Sequence, residues 1–383
     1  MAIARWSDGE LDPFRDAGDP VADRTVAALA GDGRIGALNT VMRALVDNDD
    51  LPSDDLPHEV VDYLAETRAL PAWSDPDRLH DGGRLFTRYG PEMVQMLFGA
   101  SLPILYAAHP GCEVLVATGR MTTGIQRRVI ETGQFVIDVT EPDAFGPSGR
   151  GILTCQKVRL MHAAIRYYLA VDERWRGEWR TEWRTPICQE DLAGTMLSFS
   201  VTVLRSLERS NITLSRSEKE GYLHIWLVIG HLLGIDSRLM PRDYADAEAL
   251  LERWMDRNHR PNDTSRELTR AMIDFWYARV PGRVFDGVTS GWCRLWIGDH
   301  LADQLGVPKY NWTRFLLRLQ MIVWKYEDRL EDRVIPYQAF TRLWTRKLIK
   351  ALMRLERGGR RASFHVPEHL QAAWGLDGRE SRS

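Results

Sequence analysis

Apolar positions in this chain recur at three- and four-residue spacing over most of its length, the period of an amphipathic helix. DRTVAALAGDGRIGALNTVMRALVDN (23–48) holds two such segments, separated by Gly31 and Gly33, and HEVVDYLAETR (58–68) is another. QEDLAGTMLSFSVTVLRSL (189–207) begins with acidic residues just after Pro186, a favourable helix start. DYADAEALLERWMDR (243–257) and NWTRFLLRLQMIVWKYEDRLED (311–332) continue the pattern. The most apolar stretches, MVQMLFGASLPILYAA (93–108) and YLHIWLVIGHLLGI (222–235), fall short of the roughly 18 residues that suggest a spanning helix. Pro103 breaks the first, and the second carries His224 and His231, so both are predicted as buried core helices. Strand-like alternation is scarce, and FVIDVT (135–140) is the best isolated strand candidate. GPSGRG (146–151) reads as a loop. The prediction is an all-α protein with one helical domain over 1–360 and a flexible tail over 361–383. The first dozen residues are also predicted to be loosely held.

Composition narrows the classes without choosing one. The 383 residues are 44% hydrophobic and 27% charged, ordinary for a globular chain. A net charge of −3 argues against nucleic acid as a partner. The four cysteines, at 112, 155, 188 and 293, form no C-x-x-C pair, which argues against zinc ribbons and covalent haem attachment. No transmembrane segment is predicted. The N-terminal stretch shows no export signal, so the expected location is cytoplasmic. Nothing in the sequence speaks to oligomeric state.

The chemistry-bearing segment is KVRLMHAAIR (157–166). Positions three back and four forward share a helix face, which groups Arg159, His162 and Arg166 beside an apolar stripe of Val158, Met161, Ile165 and Leu169. One reading is a wet face of an ordinary amphipathic helix. The other turns the face inward, where two guanidiniums need anionic partners because an unpaired buried charge costs several kcal/mol. A ligand with two carboxylates around a metal that takes an imidazole answers all three side chains, and haem b is such a ligand. Upstream, Arg128 and Thr132 stand one turn apart with Glu131 beside them. They make either a surface ion pair or a polar patch facing a pocket, with Thr132 placed to donate to dioxygen and Glu131 to move a proton. His224 and His231 share a face with no carboxylate at ligand spacing, so they read as hydrogen-bonded core histidines. WRGEWRTEW (175–183) reads as indoles packed on the core. His300, His365 and His369 read as surface or tail residues.

The ordered set RVIET (128–132), RLMHAAIR (159–166) and WRTPICQEDLAGTMLSF (183–199) resembles the latex-clearing protein (rubber oxygenase) family, which includes the oxygenase of mycophenolic acid biosynthesis. GDPVAD (18–23), LPILYA (102–107) and GWCRLWIGDHLADQLGVP (291–308) extend the likeness over most of the chain. The resemblance implies a globin-like helical core that holds non-covalent haem b. It implies His162 as the iron ligand, with Arg159, Arg166, Thr195 and Arg294 around the cofactor. It further implies Arg128 and Thr132 on the opposite side, where dioxygen is the co-substrate. Glu131 stands where some rubber oxygenases carry a lysine that caps the iron, so that closed state is not expected here.

The implied reaction is oxidative cleavage of a carbon–carbon double bond to two carbonyl products. With no export signal, the expected partner is an apolar small molecule, an isoprenoid or another unsaturated metabolite, rather than polymer outside the cell. Two alternatives remain at this stage. One is a haem mono-oxygenase, hydroxylase or peroxygenase of a biosynthetic intermediate, and the other is a haem-free helical binding protein.

Overall fold

The computed structural model describes residues 5–36, 56–118, 125–141, 143–171, 183–277 and 286–309, with scattered positions between and beyond them. Helices run in the order α1 (Asp8–Leu11), a 3₁₀ turn (Asp12–Arg15), α2 (Pro20–Gly31), α3 (His58–Thr67) and α4 (Pro76–Met96). A π-helical turn (Leu97–Ser101) leads into α5 (Leu102–Tyr106), α6 (Glu113–Ala117), α7 (Ile125–Thr140) and α8 (Gly151–Val171). Then come α9 (Gln189–Arg209), α10 (Arg216–Leu232), α11 (Tyr244–Asn258), α12 (Asp263–Tyr277), α13 (Asp286–Ile297) and α14 (Asp299–Gln304). Among the described residues the extended pairing is one isolated bridge, Ala108 with His259. The all-α prediction holds.

The strand expected at 135–140 is the last part of α7. Its β-branched residues extend a helical stripe, with Val136 and Val139 buried, and Thr140 Oγ1 donates back to the Val136 carbonyl at 2.6 Å. A local period of 3.6 wins over β-propensity because these side chains face packed helices. Pro103 does not break the 93–108 run either. It sits in the first turn of α5, where its missing N–H is not needed, and the π-turn before it absorbs the change of phase.

The expectation of a loose N-terminus is overturned for residues 5–12, and the anchoring continues to Arg15. Arg257 donates to Asp12 at 2.8 Å and also pairs with Asp8, while Arg5 and Trp6 bond Asp246. Glu190 is the buried hub beneath, held by Arg15 at 2.8 Å, Arg257 at 2.9 Å and Asn258 at 2.9 Å. Burial pushes the Glu190 carboxyl up, but these donors outweigh it and hold the group below its usual range.

The core centres on α9 and α10, whose buried residues include Leu197, Val201, Leu204, Tyr222, Trp226 and Ile229. α10 packs along α4 and α9, and α8 packs on α2. No helix of the described residues is long and apolar enough to cross a membrane. His224 Nε2 accepts from the Asp75 backbone N–H at 2.9 Å, and the His231 ring bonds Ala69 backbone. His300 is exposed. The segments 175–182, 323–360 and the tail lie outside the described residues, as do His365 and His369.

Candidate active site

Several helices enclose a cavity of about 250 Å³. Three long helices and the α5–α6 region form its walls. From α7 come Arg128, Glu131, Thr132 and Phe135, which at i, i+3, i+4 and i+7 make one helical stripe. From α9 come Asp191, Leu192, Thr195, Met196 and Phe199, again one face. α8 contributes Val158, Met161, His162 and Ile165. Leu102, Leu105, Tyr106 and Leu115 close one side, with Trp226 and Trp254 from α10 and α11. Trp226 meets Phe199 edge-on at 5.4 Å and tilts on Phe135 at 6.4 Å, so the cavity wall is largely aromatic and aliphatic. Gly194 is required here. A Cβ on it would lie 2.1 Å from the Trp254 ring, which α9 must let pass to reach the cavity.

The arginines flanking His162 turn a different way. At about 100° per residue, Arg159 and Arg166 lie some 40–60° round the helix from His162, nearly in line with each other. Val158 and Ile165 lie on the opposite side of the histidine. α8 therefore presents its arginine line to α2 and its apolar stripe to the cavity, with His162 on the border. Both arginines are buried, so their line of this face turns inward.

Their partners are carboxylates of the chain itself. Arg159 pairs with Asp19 through Nε and, at 2.9 Å, through Nη2, while Arg166 Nε donates to Asp23 at 2.8 Å. Both acids belong to the GDPVAD segment. Asp19 is also the N-cap of α2, accepting from Val21 and Ala22. Burial pulls the Arg159 guanidinium down, but bonding to Asp19 outweighs it and holds the guanidinium above its usual value. The mirror effect on Asp23 goes the other way, with burial raising its carboxyl despite Arg166. Gly234, at φ +80°, covers the first pair, and a Cβ there would lie 2.6 Å from Arg159 Cζ.

The structure thus gathers Arg128, Glu131, Thr132, His162 and Thr195 on one cavity and leaves Arg159, Arg166 and Arg294 outside its lining. Arg294 donates to Asp303 and, at 3.3 Å, to the Val307 carbonyl, tying α13 to α14. Thr195 Oγ1 donates to the Asp191 carbonyl at 2.8 Å. Glu131 is buried at the cavity wall.

Two polar groups of this wall carry no signal in the sequence. Asp191 reads there as a helix-start acid, yet it lines the cavity, and burial pushes its carboxyl up to about 6. Tyr106 reads as part of an apolar run. It is fully buried, its hydroxyl has no hydrogen-bond partner, and burial raises its phenol. Arg128 Cζ stands 6.0 Å from the Tyr106 ring, and its enclosed Nη1 also has no partner. Cys112 in the same wall is pushed up by burial to about 12, so it is a thiol rather than a thiolate ligand.

A family model described as "ER-bound oxygenase mpaB/B'/Rubber oxygenase, catalytic domain" matches residues 87–325, more than half of the chain. A rubber oxygenase of Streptomyces sp. (strain K30) is 25% identical over 353 residues, which cover 91% of this chain and 85% of the relative. The solved structure of latex clearing protein LCP in the closed state superposes with a TM-score of 0.75 at 23% identity, covering 92% of this chain and 94% of that one. That likeness shows a shared fold.

Proposed function

The chain belongs to the mpaB/B′ and rubber oxygenase family, and on that premise we propose that it is a haem b-dependent oxygenase that cleaves a carbon–carbon double bond of an isoprenoid or similar unsaturated small molecule. The observation that supports this best is the convergence of His162 with the Arg128–Glu131–Thr132 stripe on one largely apolar cavity. The donor set fits the cofactor. Among the described residues no group of three His, Cys, Asp or Glu side chains stands ready to hold an ion by itself. A metal beside His162 would therefore bring most of its own ligands, as a porphyrin does.

Haem b, when bound, supplies the redox-active iron at which dioxygen is activated. The protein supplies position and polarity. His162 offers the imidazole ligand. Arg159 and Arg166 act through it as positioning residues, because their ion pairs to Asp19 and Asp23 fix the rotation and height of α8 on α2. The apolar walls from α5, α8 and α9 exclude water and seat the alkene. Thr132 places a hydroxyl donor over the cavity, and Glu131, next to it, is the group positioned to hold or move a proton. Arg128 sets a positive potential at the same wall. A single domain, with Arg294 stabilising its last described helices, completes the reading.

An ultraviolet–visible spectrum of the purified protein, before and after dithionite, tests the proposal. The expected result is a Soret band that is lost or strongly shifted in His162→Ala. No Soret band after haemin is supplied would refute haem dependence. Full and spectrally unchanged haem in His162→Ala would refute the ligand. Isotopically labelled dioxygen then counts the oxygen atoms in the products, two for cleavage by a dioxygenase.

A further inference from the structure

Arg159, Arg166, Arg257 and Arg294 each have a carboxylate bonded to them: Asp19, Asp23, Glu190 and Asp303 in turn. Arg128 differs in having none. It is half-buried, its Nη1 is enclosed without a partner, and Glu131, one turn on, acts on it through space. Burial pulls its guanidinium down, yet arginine does not discharge by losing a proton in a protein. The Tyr106 ring at 6.0 Å offers partial compensation to a cation but no counter-ion.

Tyr106 supplies the second half of the argument. Its hydroxyl is a buried donor without an acceptor, on the same cavity wall. Two orphaned donors on one cavity wall, one of them on a cation, call for an acceptor-only ligand group. A single guanidinium balances one negative charge, which favours a carboxylate over a diphosphate. The planar fork of arginine also matches two carboxylate oxygens.

We propose that Arg128 and Tyr106 form a carboxylate-binding site in the wall of the cavity, which anchors an acid group of its occupant and so sets the orientation of the apolar remainder. The proposal rests on the reading of this cavity as the reaction site. The acid belongs either to the unsaturated substrate or to a propionate of the cofactor, and the test separates the two.

Farnesoic acid and its methyl ester are titrated calorimetrically into wild-type protein, Arg128→Gln and Tyr106→Phe, with haem content measured on each sample. In parallel, haemin and haemin dimethyl ester are titrated against the Soret band of protein produced without haem supplementation. A charge-assisted pair of bonds is worth about 10- to 100-fold in affinity. A preference of that size for farnesoic acid over its ester, lost in Arg128→Gln and reduced in Tyr106→Phe, supports the site and assigns it to substrate. The same preference for haemin over its dimethyl ester, with equal binding of acid and ester, supports the site and assigns it to a propionate.

Equal binding within both pairs overturns the proposal, as does a preference that survives in Arg128→Gln. Arg128→Lys, which keeps the charge, is expected to retain part of the preference. Acid preference without any Soret band would defeat haem dependence and leave this site standing. A normal Soret band without discrimination would do the reverse.

Discussion

The Arg159–Asp19 pair gives the most searching test of how α8 is held. Both side chains are nearly enclosed, at 10% and 2% exposure, and they share two hydrogen bonds. Asp19→Asn keeps the α2 N-cap, because asparagine caps as well as aspartate. It removes only the charge, leaving a buried guanidinium without a counter-ion. Breaking one side of such a pair costs about 3–5 kcal/mol, a large share of the roughly 5–15 kcal/mol that stabilises most domains. Arg159→Met strands the opposite charge, though Val21 and Ala22 still donate to it, so its cost is smaller, about 2–3 kcal/mol. The double variant Asp19→Asn/Arg159→Met has no buried charge at this point and is expected to recover most of the loss. Urea unfolding at pH 7 of the wild type, both single variants and the double variant yields the coupling energy directly. A single variant within 0.5 kcal/mol of wild type, or a double variant no better than the worse single, would refute the account. Repeating the series with haemin present adds a second reading. If Arg159 takes a cofactor carboxylate in place of Asp19, the Asp19→Asn deficit disappears on loading; if Asp19 is its permanent partner, the deficit stays.

Three further outcomes follow from the same geometry. Gly194→Ala gains about 1 kcal/mol of helix propensity but drives a methyl against the Trp254 ring at 2.1 Å, so a net loss of about 1–3 kcal/mol is expected and unchanged thermal stability would contradict it. For Asp191 the sign is that of an acid whose folded value, about 6, stands above its unfolded value near 3.8. Its protonated form is favoured by folding, so the associated stability is present below pH 3.8 and lost as pH rises through 6. Asp191→Asn should therefore gain stability relative to wild type at pH 7.5 and lose that advantage at pH 4, and a pH-independent difference in urea midpoint would rule this out. Glu190→Gln leaves Arg257 with its exposed partners only, and limited proteolysis is expected to cut residues 5–15 faster than in wild type.

Much of this architecture is legible in spacing alone, because most helices bury one stripe and expose another. The core helix α10, the acidic start of α9 and the glycine-rich approach to α8 all fall where the pattern put them. FVIDVT reads as a strand in isolation because five β-branched or aromatic residues around Asp138 look the same in a strand as in the buried end of a helix. Only the preceding turns of α7, with Arg128, Glu131 and Thr132 in register, reveal that the period is 3.6. The anchoring of residues 5–15 was invisible for another reason. It depends on Arg257 and Asp246, more than two hundred residues away, and no local pattern carries that information.

The site itself shows where face-level reasoning stops. Grouping Arg159, His162 and Arg166 on one face was correct to within 60°, and that remainder decides their partners. Two guanidiniums in line meet two acids one turn apart, Asp19 at the N-cap of α2 and Asp23 within it, so the partners of these arginines are internal. The histidine, set off to one side, reaches the cavity instead. Among the described residues of the cavity wall, the arginine without a bonded carboxylate is Arg128, on another helix, and Tyr106 on the same wall is an orphaned donor. With the arginines of α8 neutralised by aspartates of the chain, the proposed carboxylate site on α7 is the place where a ligand, rather than the fold, would supply the anion.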